Sequence, residues 1–246
     1  MFVETNGVKL YCEQTGQGPA LLLLHGNGED HTVFDESVIR FFSGRYRVVA
    51  VDSRDHGRSD RVGVLRYEDM AEDMAGLIAA LSLGQTAVLG FSDGGIVGLL
   101  LAARRPELVS KLVAAGANTR PGGLQPWFCL AMWLRYLISW DKKIRLMLTQ
   151  PHISQAALGA IRAPTLVLAG GRDIVRAAHT RALAAAIPGS ELCILPDETH
   201  DSYVRRPAAL LRSTMAFLDV VGGDAREDKS DVPRTNHKQT EKGEDR

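Results

Sequence analysis

The chain has 246 residues, 45% of them hydrophobic and 24% charged, and 29 Lys+Arg balance 29 Asp+Glu. That length suffices for one α/β domain with a buried core. A formal net charge of +0 offers no basic excess for nucleic acid or an anionic membrane surface. The three cysteines, Cys12, Cys129 and Cys193, form no C-x-x-C pair, which argues against a disulfide framework and a zinc site.

In chain order, Phe2 to Thr15 predicts two short strands around the turn dipeptide Asn6-Gly7. The polar N-terminus lacks the basic start and apolar core of a secretory signal, so the cytoplasm is the expected compartment. Ala20 to Leu24 is a continuous apolar run, as in a strand buried on both faces, and ends in His25-Gly26-Asn27-Gly28. A helix is expected over Val33 to Phe42 and a buried strand over Arg47 to Val51, closed by the turn-rich DSRDHGRSD. Tyr67 to Leu81 carries Met70, Met74, Leu77, Ile78 and Leu81 at helical spacings of three and four. Ala87 to Leu89 and Leu112 to Ala115 read as strands, with a helix over Gly95 to Ala103 between them.

The interval 119–163 interrupts this alternation and is too long for a plain connection. A helix is expected from Pro126 through WFCLAMWLRYLISWDKKIRLML, holding all three tryptophans, and then a shorter one over Ser154 to Ile161. Its longest apolar stretch, Trp127 to Ile138, is broken by Arg135 and too short to span a bilayer. Alternation then resumes: strand Thr165 to Ala169, helix Ala177 to Ile187, strand Glu191 to Leu195, closing helix Tyr203 to Val221. Repeated strand–helix units with buried strands predict an α/β fold, a mostly parallel sheet with helices on both faces. The expected organisation is a core of residues 1–118 and 164–221, a short helical cap over 119–163, and a disordered polar tail over 222–246.

The chemistry concentrates at Gly90-Phe91-Ser92-Asp93-Gly94, a G-x-S-x-G between a strand and a helix. A serine at the tip of so sharp a turn is strained, and a side chain two residues to either side would meet backbone, so glycine is wanted there. The turn exposes Oγ, and the helix that follows aims free N–H groups at it. In a parallel sheet, ligands bind outside the carboxyl ends of the strands. Asn27, Asp52, Ser92, Asp173 and His200 each follow such an end. The order Ser92, Asp173, His200 suits an elbow nucleophile, an acid and a base: the imidazole takes the hydroxyl proton, and the carboxylate holds its tautomer. The backbone N–H groups of Asn27 and Asp93 are the candidate oxyanion donors. Asp197 and Glu198 are rival acids, but they lie too near His200 in sequence to come from a neighbouring strand. His25, His56 and Asp52 read as loop supports, and Arg172 and Arg176 as solvated residues at a helix start. Gly26-Asn27-Gly28 imitates a dinucleotide fingerprint, but His31 stands where its third glycine belongs. No cofactor and no metal are expected.

The stretches LLLLHGNG, VAVDSRDHGRSD, VLGFSDGG, PTLVLAGGRD and LPDETHD resemble the α/β-hydrolase fold serine hydrolases over Leu21 to about Phe217. The resemblance implies Ser92 as nucleophile, Asp173 as acid, His200 as base, Asn27 and Asp93 as oxyanion donors, and residues 119–163 as a cap shorter than in many relatives. Asp55 stands where relatives often have glycine and is taken as structural variation. Trp127, Trp133 and Leu137 of the apolar cap helix are the expected substrate contacts. The expected activity is hydrolysis of a small carboxylic ester with an apolar part, through an acyl-enzyme. The same triad also serves C–C bond, lactone or amide hydrolysis and peracid formation, and a ligand sensor on a hydrolase scaffold is a further alternative. The expected partner is a small-molecule substrate.

Overall fold

The computed structural model describes residues 1–218; the polar tail expected over 222–246 and the end of the closing helix at Val221 lie outside the described residues. Among the described residues, eight strands form one sheet: β1 (Phe2–Thr5), β2 (Val8–Thr15), β3 (Ala20–Leu24), β4 (Arg47–Val51), β5 (Thr86–Phe91), β6 (Val109–Ala115), β7 (Thr165–Arg172) and β8 (Glu191–Thr199). Their order is β1-β2-β4-β3-β5-β6-β7-β8. β1 and β2 are antiparallel, joined at Asn6-Gly7, where both residues take positive φ. β2 meets β4 antiparallel, and every pairing from β4 to β8 is parallel. The α/β class expected from the strand–helix rhythm is therefore the observed one.

The alternating side chains of the continuous apolar strands feed two cores. Leu22, Leu24, Val49, Val51, Val88 and Leu112 pack on one face with α2 (Tyr67–Ala80) and α3 (Asp93–Arg104). Leu21, Leu23, Val48, Ala50, Leu89 and Val113 pack on the other, against Val38 and Phe42 of α1 (Glu36–Ser43).

Between β6 and β7 the chain inserts α4 (Pro126–Ser139), α5 (Lys142–Thr149) and α6 (Gln155–Gly159). The single long helix expected here is broken. Trp140 ends α4 in the left-handed conformation, and the Asp141 carboxylate accepts the Lys143 N–H to start α5. The insert is rooted on the domain: Gln125 N–H donates to Ile174 O (2.8 Å) and Thr119 N–H to His179 Nε2 (3.0 Å). The helix α7 (Ala177–Ala186) matches its expectation to one residue. The closing helix is two pieces, α8 (Ser202–Arg205) and α9 (Ala208–Leu218). Pro207 lies between them, and the residue before a proline is disfavoured in helical backbone. No helix among the described residues is long and apolar enough to cross a membrane.

Candidate active site

Ser92 sits between β5 and α3 with φ 53° and ψ −115°, a strained conformation for a residue with a side chain. Its flanking glycines make the turn possible. A Cβ on Gly90 would lie 2.2 Å from Gly94 O, and one on Gly94 would lie 2.1 Å from Leu24 O in the neighbouring strand. The turn is locked by Ser92 N–H donating to Ala115 O (2.7 Å). The hydroxyl makes no capping bond to its own helix and is free to turn elsewhere.

That elsewhere is His200, which follows β8. Ser92 Oγ lies 2.9 Å from His200 Nε2, and His200 Nδ1 lies 2.7 Å from Asp173 Oδ1. Asp173 follows β7 and is buried; its carboxylate also accepts the N–H groups of Val175 (2.9 Å) and Gly170 (3.2 Å). Those two donors leave the imidazole a fixed acceptor, so Nδ1 carries the proton and Nε2 faces the serine. The sheet brings the three together because β5, β7 and β8 run parallel and end at one edge. The rivals are occupied: Asp197 pairs with Arg172 at 3.2 Å, and Glu198 accepts from Ser202 Oγ.

Asn27 and Asp93 flank the serine, and neither backbone N–H donates to a protein acceptor among the described residues. Their side chains are joined. Asn27 Nδ2 donates to Asp93 Oδ2 (2.8 Å) and to Lys143 O (3.1 Å), and Tyr67 Oη donates to Asp93 Oδ1 (2.7 Å). Burial pushes the Asp93 carboxyl up to about 6, against the hydrogen bonds from Tyr67 and Asn27. This network is not legible in the sequence; the apolar environment of Tyr67 carries no sign of a polar partner. His25 is buried, with Nδ1 2.8 Å from Gly26 O and Nε2 accepting the Ser53 N–H (3.0 Å). Burial holds its ring, and that of His56, below the usual histidine range, His56 at about 4. Asp52 accepts from the N–H groups of His31 and Arg58, each at 2.8 Å. Asp30, His31 and Asp52 could together reach one cation, yet His31 Nδ1 already meets Asp52 Oδ1 at 2.6 Å and Asp30 Oδ1 accepts from Thr32. Asp55 is more than a variation. Its buried carboxylate pairs with Lys142 at 2.7 Å and Lys143 at 3.3 Å, tying the loop after β4 to α5.

A cavity of 480 Å³ opens above Ser92 and His200. Its walls are Phe91, Phe128 and Met132, then Ile144 and Met147 of α5, and Ile174; Asn27, Glu29, Arg135 and Lys143 are among its polar groups. Trp127, Trp133 and Leu137 do not border it. All three are exposed. Apolar residues surround most of α4, so its sequence does not tell which stripe faces inward. The side chains of α4 that line the cavity are instead Phe128, Met132 and Arg135, spaced four and three apart on the opposite side. Arg172 and Arg176 do not border the cavity either.

A parallel sheet that delivers a strained elbow serine, a histidine and an aspartate to one edge defines the α/β hydrolases. Residues 19–136 match the family model described as alpha/beta hydrolase fold. The chain is 30% identical over 235 residues to the serine hydrolase BPHL of Homo sapiens, covering 82% of this chain and 80% of that protein. In structure it is similar to an enol-lactonase from Burkholderia xenovorans LB400 (TM-score 0.75, 21% identity, 89% of this chain and 100% of that one). It is also similar to a thermophilic esterase from Thermogutta terrifontis (TM-score 0.73, 23% identity, 89% and 98%). The chain belongs to the α/β-hydrolase family and is a hydrolase.

Proposed function

We propose that the protein is a carboxylic ester hydrolase that works through an acyl-enzyme on Ser92. The observation that carries this reading is the continuous chain from Ser92 through His200 to Asp173, at 2.9 and 2.7 Å, with Ser92 and His200 lining the cavity. Ser92 Oγ attacks the ester carbonyl while His200 Nε2 takes its proton. The N–H groups of Asn27 and Asp93 receive the oxyanion, and His200 returns the proton to the departing alcohol. Water, deprotonated by the same nitrogen, then releases the acid. Asp173 stabilises the imidazolium at both stages without taking its proton. A cavity of 480 Å³ with walls of Phe128, Met132, Ile144 and Met147 suits a small ester with an apolar acyl or alcohol part.

The test is Ser92→Ala. Hydrolysis of short p-nitrophenyl esters is expected to fall by a factor on the order of 10⁶ in kcat, and labelling by a fluorophosphonate is expected to vanish, with circular dichroism unchanged. Retained turnover or labelling in the variant refutes the mechanism. A panel of esters, lactones, amides and diketones ranked by kcat/KM then separates the ester reading from its rivals.

A further inference from the structure

Helix α4 is the least embedded element of the insert. Not one of its residues is buried, although nearly all are apolar. A helix that is apolar on every side is normally enclosed by protein. Its inner stripe meets the cavity through Phe128, Met132 and Arg135. On the far side Trp127, Leu130, Leu134 and Leu137 follow one another at spacings of three, four and three, with Ile138 beside them. That is the spacing of a seam between two helices. These five residues and the flanking Trp133 and Trp140 are between 44% and 85% exposed.

We propose that this outer face of α4 is a dimer interface, covered by the same face of a second copy of the chain. Area supports it. With aromatic side chains of roughly 150–250 Å² and aliphatic ones smaller, the seven expose on the order of 800 Å². The largest apolar patch of a typical monomer is about 300–600 Å², and one side of a stable protein interface is about 800 Å². Charge supports it too: the seam holds no ionisable residue, and the helix's one charge, Arg135, borders the cavity instead. An uncharged centre suits the core of a two-fold interface. Other occupants fit less well. A helix lying in a lipid surface needs a polar face rich in Lys and Arg, and α4 has none. The chain's own residues 222–246 have only Ala225, Val232 and Pro233 as apolar side chains and offer nothing to bury there.

The test is sedimentation equilibrium of the full chain across the low-micromolar range, without lipid. A dimer is expected. Leu134→Glu is expected to weaken it about 30-fold or more, while Phe41→Glu, a charge placed on an exposed apolar residue of α1, leaves it intact. Leu134→Ala with Trp127→Ala serves if the charged variant fails to fold. A monomer at every concentration overturns the proposal. So does a dimer that survives the α4 substitutions or is equally sensitive to Phe41→Glu. A monomer that sediments with phosphatidylcholine–phosphatidylglycerol vesicles overturns it as well and assigns the face to lipid.

Discussion

Replacing Asp93 by asparagine separates stability from catalysis, because the two demand opposite things of that carboxyl. The group is 3% exposed, and burial raises it from 3.8 to about 6. The fold therefore favours the protonated form: its stabilising contribution is complete below about pH 4 and is lost as pH rises through about 6. At 1.36 kcal/mol per unit, ionisation costs on the order of 3 kcal/mol by pH 8. The amide introduced by Asp93→Asn cannot ionise and escapes that cost. The stability of Asp93→Asn relative to the parent is expected to shift in the variant's favour by about 3 kcal/mol between pH 4 and pH 8. Catalysis moves the other way. Tyr67 Oη and Asn27 Nδ2 both donate to the carboxylate, and an amide offers one acceptor oxygen for two donors. Asn27 then keeps only its bond to Lys143 O, and the N–H beside it drifts from the oxyanion position. A fall of roughly 10- to 100-fold in kcat is expected, with KM little changed. Urea unfolding from pH 4 to 8 and ester kinetics at pH 8 measure the two effects. Stability curves that stay parallel over that range refute the electrostatic account, and undiminished kcat refutes the positioning one.

Four further substitutions test the rest of the site. Asp173→Asn presents an amide to His200 Nδ1 in place of the acceptor at 2.7 Å and is expected to lower kcat by a factor on the order of 10⁴, read from the same ester assay. Phe128→Ala is expected to raise KM and shift the preferred acyl-chain length, whereas Trp127→Ala, outside the cavity, is expected to leave both unchanged; a chain-length series of p-nitrophenyl esters decides. Gly94→Ala puts a Cβ 2.1 Å from backbone oxygen of β3, which cannot yield, and a loss of about 3 kcal/mol in urea unfolding is expected.

Sequence reasoning reaches furthest where one local rule has one solution. Glycines around Ser92 have no substitute in that turn, and the parallel sheet then carries Asp173 and His200 to the same edge with no further information. It fails where the signal is degenerate. Phe128 and Trp127 are adjacent aromatics on a helix apolar all round, and only the packing of α4 over the site decides that Phe128 turns inward. The break at Trp140 has no glycine or proline to mark it; the one sign is Asp141 ahead of two lysines, a capping aspartate inside an apparently continuous helix. Pro207, by contrast, is a legible mark of the break between α8 and α9. The roles of Asp55 and Asp93 escape the sequence for another reason. Their partners, Lys142, Lys143, Tyr67 and Asn27, are remote along the chain, and buried polar pairs leave no periodic trace.

The loop carrying Asn27 is held from several sides before any substrate arrives. His25 engages backbone with both ring nitrogens, at Gly26 and Ser53. Glu29 accepts the Gly26 N–H at 3.1 Å, and the Asn27 amide bridges Asp93 to α5. Donors fixed in this way need no reorganisation as charge develops on the carbonyl oxygen, which is the main electrostatic advantage such a site can have over water. The wall opposite them is built on another principle. Phe128 and Met132 project from a helix with no buried residue, whose inward stripe can be rewritten with little effect on the two cores of the sheet. On the proposed mechanism, rigid buried polar contacts govern how the bond is broken, while a lightly anchored apolar helix governs which molecule is admitted.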